Sequence, residues 1–409
     1  MVAYIFGVVL FAIGICLSVA LHEAGHMFAA KAFGMKVRRY FIGFGPKIWS
    51  FRKGETEYGL KAIPLGGFCD IVGMTALDEV TPEELPRAMY RFAAWKRVVV
   101  MVAGIVTQFI LGLIILYLMA VTMGLPNLTG KPTISGTDCA AASQNPKYFD
   151  QYSPCTPADP SPAAQAGMQP GDTIVAVNGK PTPTWTDVVT TTQDLRGTVP
   201  FVVDRDGKQL TLQVSVATVQ RVGADAKYGA DGNKLVEVGA IGVKSTPTFH
   251  YGVLSGIGGT ATFTGDMLVR TWQGLINFPK KIPAVVRAIG GEKNDPERPV
   301  SVVGASRIGG EAVEAGIWSL FLLLLASLNF FMGLFNLLPL LPLDGGHIAI
   351  TLYEKVRNWL RKLRGLAPGG PVDYTKLTTV TMVIVFLGGA VVLLTVTADI
   401  VNPIRIGGQ

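Results

Sequence analysis

Charge is scarce in this chain. Of 409 residues only 16% are Asp, Glu, Lys or Arg, against 49% hydrophobic residues and a mean hydropathy of +0.39. That balance excludes an ordinary soluble globule and reads as a polytopic membrane protein, long enough for two or three domains. Cysteine is sparse too, and the four present, Cys16, Cys69, Cys139 and Cys155, lack the paired spacing of a zinc ribbon. Histidine is equally rare, so an imidazole site must draw on His22, His26, His250 and His347. No internal repeat or duplication of the apolar runs is present, which argues against a transporter. The formal net charge is +7, yet Lys and Arg gather in two short segments beside apolar runs. This is the pattern of loops on one side of a membrane and excludes a nucleic-acid groove as the partner surface.

Four apolar runs are each long enough to cross a bilayer as a helix: the first ending near Ala30, then Val98 to Leu125, Ile317 to Leu343 and Leu377 to Ala398. The first has no basic residue before it and is not read as a cleaved signal peptide. Lys31 to Arg97 has an excess of cations, and a second basic segment carries Lys355, Arg357, Arg361, Lys362 and Arg364. The positive-inside rule makes both cytoplasmic. It follows that both termini and Pro126 to Gly316 lie outside, and that the chain is a multi-pass protein of the cytoplasmic membrane. The expected layout is a span at 1–30, a cytoplasmic β region at 31–97, a span at 98–125 and a cysteine-containing linker at 126–160. A module at 161–245 and an amphipathic segment at 246–316 follow. A span at 317–343, a basic loop at 344–376, a span at 377–398 and an outer tail at 399–409 complete it.

Between the first two spans, Phe41 to Lys47 and Tyr58 to Phe68 are short apolar stretches punctuated by Gly and Pro, which predicts a small sheet against the membrane. In the outward segment, Gly turns, an Asn178-Gly179 turn, a helix near Asp187 and strands at 201–203 and 210–216 predict a compact, mostly-β module. Its run from Ser161 to Gly179 resembles the core sequence of a PDZ domain. Leu268, Trp272, Leu275 and Ile276 sit at helical spacing, interrupted by Pro279 and Pro283. They predict an amphipathic helix, on the outer membrane surface or packed under the module. Cys139 and Cys155, in a polar Pro-rich stretch, are disulfide candidates if that stretch lies outside the cytoplasm, closing a loop of about 15 residues.

At the end of the first run stands His22-Glu23-Ala24-Gly25-His26. On a helix, positions i and i+4 share a face, so the two imidazoles can hold one zinc ion while Glu23 projects toward a water that the metal polarises. Such strings also occur by chance. At membrane depth, however, each charged group costs about 2.5 to 3.5 kcal/mol unless it serves a buried site. A catalytic zinc keeps three protein ligands and an open position. His250 falls on the outward side, and His347 is expected outside the ligand set. Asp344, at the end of the third span in Asn336-Leu-Leu-Pro-Leu-Leu-Pro-Leu-Asp344-Gly-Gly-His347, becomes the candidate third ligand, because the first and third spans run the same way and end at the same face.

Taken together, these motifs resemble the site-2 family of intramembrane zinc metalloproteases, in particular its PDZ-containing mycobacterial and actinobacterial members. The likeness covers nearly the whole chain. It rests on His22 to His26, the Gly-Phe-Gly-Pro and Pro-Leu-Gly-Gly-Phe loops, the PDZ core, Val303-Gly304-Ala305-Ser306, and Asn336 to Gly346. The resemblance implies one zinc ion on His22, His26 and Asp344, with Glu23 as acid and base. It also implies substrate backbone contacts from Asn336 and the Gly66-Gly67-Phe68 loop. The substrates it implies are single-span proteins such as anti-sigma factors, cut after a first protease has trimmed them. Where the family has Gly-Pro-x-x-Asn in the second span, this chain has Gly104-Ile-Val-Thr-Gln108. A catalytically silent receptor binding exported tails through the PDZ-like module is the competing class. Glu23 separates the two, since a binder needs no general base beside its ligands.

Overall fold

The computed structural model describes residues 1–74, 78–128, 130–147, 151–223, 231–291, 298–367, 369–370 and 372–405. The last four residues of the expected outer tail lie outside that set. Contacts divide the chain into two units, 1–123 with 253–409, and 124–252.

The first unit opens with helix α1 (Val2–Ala32), which carries the long uncharged run. Strands β1 (Val37–Lys53) and β2 (Thr56–Ile71) follow as an antiparallel pair. Residues 39–42 pair on one side with 57–60 and on the other with 67–70, so the two strands double back into four rungs. Residues 67–71 form an edge of that sheet. Helix α2 (Ala94–Thr122) then returns along α1.

The second unit is all turns, strands and short helices: β3 (Leu125–Pro126), β4 (Ile134–Thr137), α3 (Pro162–Gln165), β5 (Thr173–Val177), β6 (Lys180–Pro181), α4 (Trp185–Gln193), β7 (Gly197–Arg205), β8 (Lys208–Val222), β9 (Leu235–Ala240), β10 (Val243–Ser245) and β11 (Thr248–Phe249). Strands β6-β5-β7-β8-β9 make one antiparallel sheet. Its apolar face buries Ile174, Val177, Phe201, Val203 and Val214 together with Ile134 and Ile241. Ile134 belongs to the stretch expected as a linker. That stretch pairs as β4 with β10 and is part of the module, so the compact unit is wider than 161–245. Asp172, 1% exposed, is held by Arg205 through two bonds of 2.7 and 2.8 Å. Cys139 and Cys155 are joined as a disulfide, their Cα atoms 5.9 Å apart.

The chain returns to the first unit in α5 (Val253–Ile289), α6 (Val302–Glu314), α7 (Trp318–Asn336), α8 (Asp344–Leu363) and α9 (Tyr374–Val401). Three features differ from the sequence expectation. Helix α5 runs through Pro279 and Pro283 instead of breaking there. The third apolar run stops being helical at Asn336, and Asp344 starts a new helix rather than ending a span. The basic segment expected as a loop is mostly that helix, α8. Among the described residues four helices, α1, α2, α7 and α9, are long and apolar enough to cross a membrane. Helices α1, α2 and α7 pack through small residues: Gly112 of α2 lies under the Phe330 ring, Gly333 of α7 under Phe109, and Gly14 of α1 under Leu325. In lipid, where burying apolar surface gives helices little reason to associate, such close approach supplies the dispersion contacts that hold them.

Candidate metal centre

Helix α1 brings the first two donors, His22 and His26, 7% and 6% exposed, one turn apart. Their face can approach α2 because glycine stands on both sides of the contact. A Cβ on Gly25 would lie 2.5 Å from the Ala103 carbonyl oxygen, and one on Gly104 would lie 2.3 Å from His26 Nε2 and 2.9 Å from His22 Cε1. No side chain fits at either position. Across the same contact the Val100 carbonyl lies 2.8 Å from His26 Nδ1. A carbonyl only accepts, so Nδ1 carries the proton and Nε2 keeps its lone pair for a metal.

The third donor comes from the start of α8. The turn that precedes it is closed tightly: a Cβ on Gly345 would lie 2.3 Å from the Leu338 oxygen, and one on Gly346 2.7 Å from Leu340. That turn sets Asp344 Oδ2 3.3 Å from Nε2 of both His22 and His26, whose Nε2 atoms are 3.1 Å apart. The Oδ2 atom is buried and makes no hydrogen bond of acceptable geometry. Two imidazole lone pairs and a carboxylate aimed at one another repel, and a single cation among them turns the repulsion into ligation. Two neutral imidazoles and one carboxylate are the donor set of a catalytic zinc with one position open. The residues present therefore fit one zinc ion.

Glu23 leaves α1 beside this cluster, on the side where the sheet edge passes. A Cβ on Gly67 would lie 3.5 Å from Glu23 Cγ, so the edge formed by 67–71 passes over the glutamate. Tyr40 ties the sheet to α1 through a 2.7 Å bond to the Ala20 carbonyl, and burial raises its phenol to about 12. Phe68 stacks on Phe41 and Phe44 at 5.7 and 6.3 Å, and Gly66 (φ +135°) lets the chain turn against the Phe44 ring. Asn336 is the last residue of α7, and its side chain bonds to no described residue. No contact sets Phe68 or Asn336 against the three donors. His347, 8% exposed, stacks on Tyr374 at 6.1 Å, and His250 belongs to the other unit. Gln108, one turn from Gly104 and 1% exposed, has neither amide atom hydrogen-bonded. Sequence reading did not find Gly25, Val100 or Tyr40. Only the glycine within the His-Glu-x-x-His string hinted at a close neighbour.

Residues 10–367 match the family model described as peptidase family M50. The chain belongs to this family. It is 46% identical over 407 residues to the zinc metalloprotease Rip1 of Mycobacterium bovis, covering 98% of this chain and 99% of that one. The Rip1 protein of Mycolicibacterium smegmatis is 47% identical over 409 residues, 98% of each chain. Further away, metalloprotease MmpA of Caulobacter vibrioides is 27% identical over 365 residues, 83% of this chain and 84% of that one. This M50 chain is thus a site-2-type zinc metalloprotease and a multi-pass membrane protein, and zinc is its cofactor.

Proposed function

We propose that this enzyme hydrolyses a peptide bond in or near the membrane-spanning segment of single-span proteins, anti-sigma factors among them, after a first extracytoplasmic cut. The observation that carries the reading is the convergence of His22, His26 and Asp344 at one end of a membrane-spanning helix, with Glu23 and an open sheet edge beside them. His22, His26 and Asp344 would hold the zinc, which when bound would supply Lewis acidity toward the scissile carbonyl and the attacking water. Glu23 takes the proton from the attacking water and returns it to the leaving amine. The sheet edge at Gly67 runs close to the Glu23 side chain on that side of α1.

A transmembrane helix hides its amides in its own hydrogen bonds and must unwind to be cut. Residues 67–71 offer an extended substrate a strand to pair with, and the unbonded amide of Asn336 satisfies backbone groups that unwinding frees. By the positive-inside rule the site lies toward the cytoplasmic half of the cytoplasmic membrane, with both termini and the PDZ-like module outside.

Glu23→Gln tests the reading, because it removes the base and leaves the ligands. Purified, zinc-loaded mutant should keep its metal and lose cleavage of a single-span substrate by roughly 10²–10⁴-fold. Turnover near wild type would assign the proton transfer elsewhere.

A further inference from the structure

Helix α8 presents a row of exposed apolar side chains, Leu352, Val356, Trp359 and Leu363, at helical spacing. Lys355, Arg361 and Lys362 share the helix, and Arg364 caps it. A basic helix with such a stripe suits the boundary between headgroups and acyl chains. Beside it, α8, the turn at 339–341 and the start of α9 enclose a groove of about 740 Å³. Its floor is apolar, with Ile350, Leu377, Val380 and Ile384 in line along the membrane-spanning α9 and the facing α8. Its lining also carries two cations, Arg357 and Lys376, and one carboxylate, Asp373.

Neither cation pairs with a carboxylate of a described residue. Arg357 donates one Nη to the Gly370 carbonyl and lies over the Tyr353 ring at 5.8 Å with its Nε buried, and Lys376 is exposed. Of the acids nearby, Glu354 pairs with Arg97 and accepts from the Val372 amide, while Asp373, in the groove lining, accepts from the neutral Thr375 amide and hydroxyl. A groove apolar along its length, with two cations against one carboxylate in its lining, is complementary to an anionic amphiphile. We propose that it binds an anionic glycerophospholipid of the bilayer, the phosphate on Arg357 and Lys376 and an acyl chain along Val380 and Ile384. Guanidinium and phosphate match in a forked pair, and the low dielectric at the membrane surface strengthens it. Leu340 and Gly346, which also line the groove, flank Asp344. Lipid seated there therefore braces the turn that presents the third donor, and lipid composition reaches the metal centre through it.

The test is native mass spectrometry of the full chain in detergent, titrated with dioleoyl-phosphatidylglycerol, dioleoyl-phosphatidylcholine or inorganic phosphate. Phosphatidylglycerol should be retained at one strong site, with phosphatidylcholine and phosphate held far more weakly. Lys376→Gln, an exposed change that leaves the fold intact, should weaken retention roughly fivefold, and Arg357→Gln with Lys376→Gln by about the square of that. Equal retention of phosphatidylcholine would mean an apolar groove without headgroup recognition, and binding of phosphate alone a plain anion site. Unchanged retention in the double variant would move the lipid elsewhere. A photocrosslinker at Ile384 should capture lipid in membranes, and capture of a substrate helix there instead would make the groove an entry path. Any of these four results overturns the proposal without touching the assignment of Glu23.

Discussion

At the scale of single residues, the metal centre depends as much on what is missing from α2 as on what α1 and α8 supply. Gly104 has the two imidazoles against its Cα, and a methyl there would stand 2.3 Å from His26 Nε2. Gly104→Ala should therefore push the rings off their positions, destabilise the α1–α2 contact by about 1–3 kcal/mol and lower zinc content. Elemental analysis after dialysis, beside a melting curve, separates the two effects. A variant that keeps full metal would show that α1 shifts to make room. Asp344→Asn replaces a carboxylate by a neutral amide, a poorer ligand for the dication. Zinc affinity should fall by more than the roughly 10–100-fold typical of losing a supporting neighbour. Undiminished affinity in a chelator competition would point to another third ligand. Glu23 and the histidines were legible in the sequence because their spacing is a property of one helix. Gly104 and Val100 act across a helix pair, and no local pattern announces which residues of α2 will lie under which of α1.

At the scale of elements, the apolar spans were legible because bilayer thickness imposes their length. What escaped was the polar logic at their ends. Arg298, 2% exposed, donates to Asp399 of α9 at 2.7 Å, and the other oxygen of Asp399 accepts the Ser301 amide at 2.7 Å, just before α6. This bonding, together with Arg298 donating to the Asn402 carbonyl, ties α9 to the stretch leading into α6. Hydropathy cannot foresee it, since Arg298 and Asp399 are 101 residues apart and each alone reads as a surface charge. Asp399→Leu would leave a buried guanidinium without its carboxylate, at a cost of about 3–5 kcal/mol. The expected result is early proteolysis near 298–301 and a lower melting temperature. Gly304→Ala should act in the same direction, because its Cβ would meet Asp399 Oδ2 at 2.3 Å. If both variants melt like wild type, the pair does not hold α9. Helix α8 was missed for a different reason: its cations were counted for topology, and its apolar stripe was not.

At the scale of the whole molecule, the unit at 124–252 is inserted between α2 and α5 by two strands that run side by side, Leu125–Pro126 paired with Thr248–Phe249. On the other side of this junction, Tyr117 of α2 bonds the Val253 carbonyl at 3.1 Å and Gly256 packs on Val121. The chain therefore leaves and re-enters the membrane unit at neighbouring points. A short Gly-Ser bridge can replace 124–252 entirely, which is cleaner than excising 163–243, a cut that would strand β4 and the disulfide loop. The proposed function makes this deletion informative. In that proposal the unit at 124–252 lies outside and the zinc toward the inside, so the unit's role is to collide with bulky exterior domains rather than to present a bond to the metal. Removing it should allow cleavage of an untrimmed single-span substrate while the pre-trimmed form is cut as before. Zinc content and membrane insertion of the deletion variant must match wild type for the comparison to count. With those matched, failure to cut the pre-trimmed form would make the module a recruiter that substrates require. Continued refusal of the untrimmed form would place the size selection in the membrane unit itself.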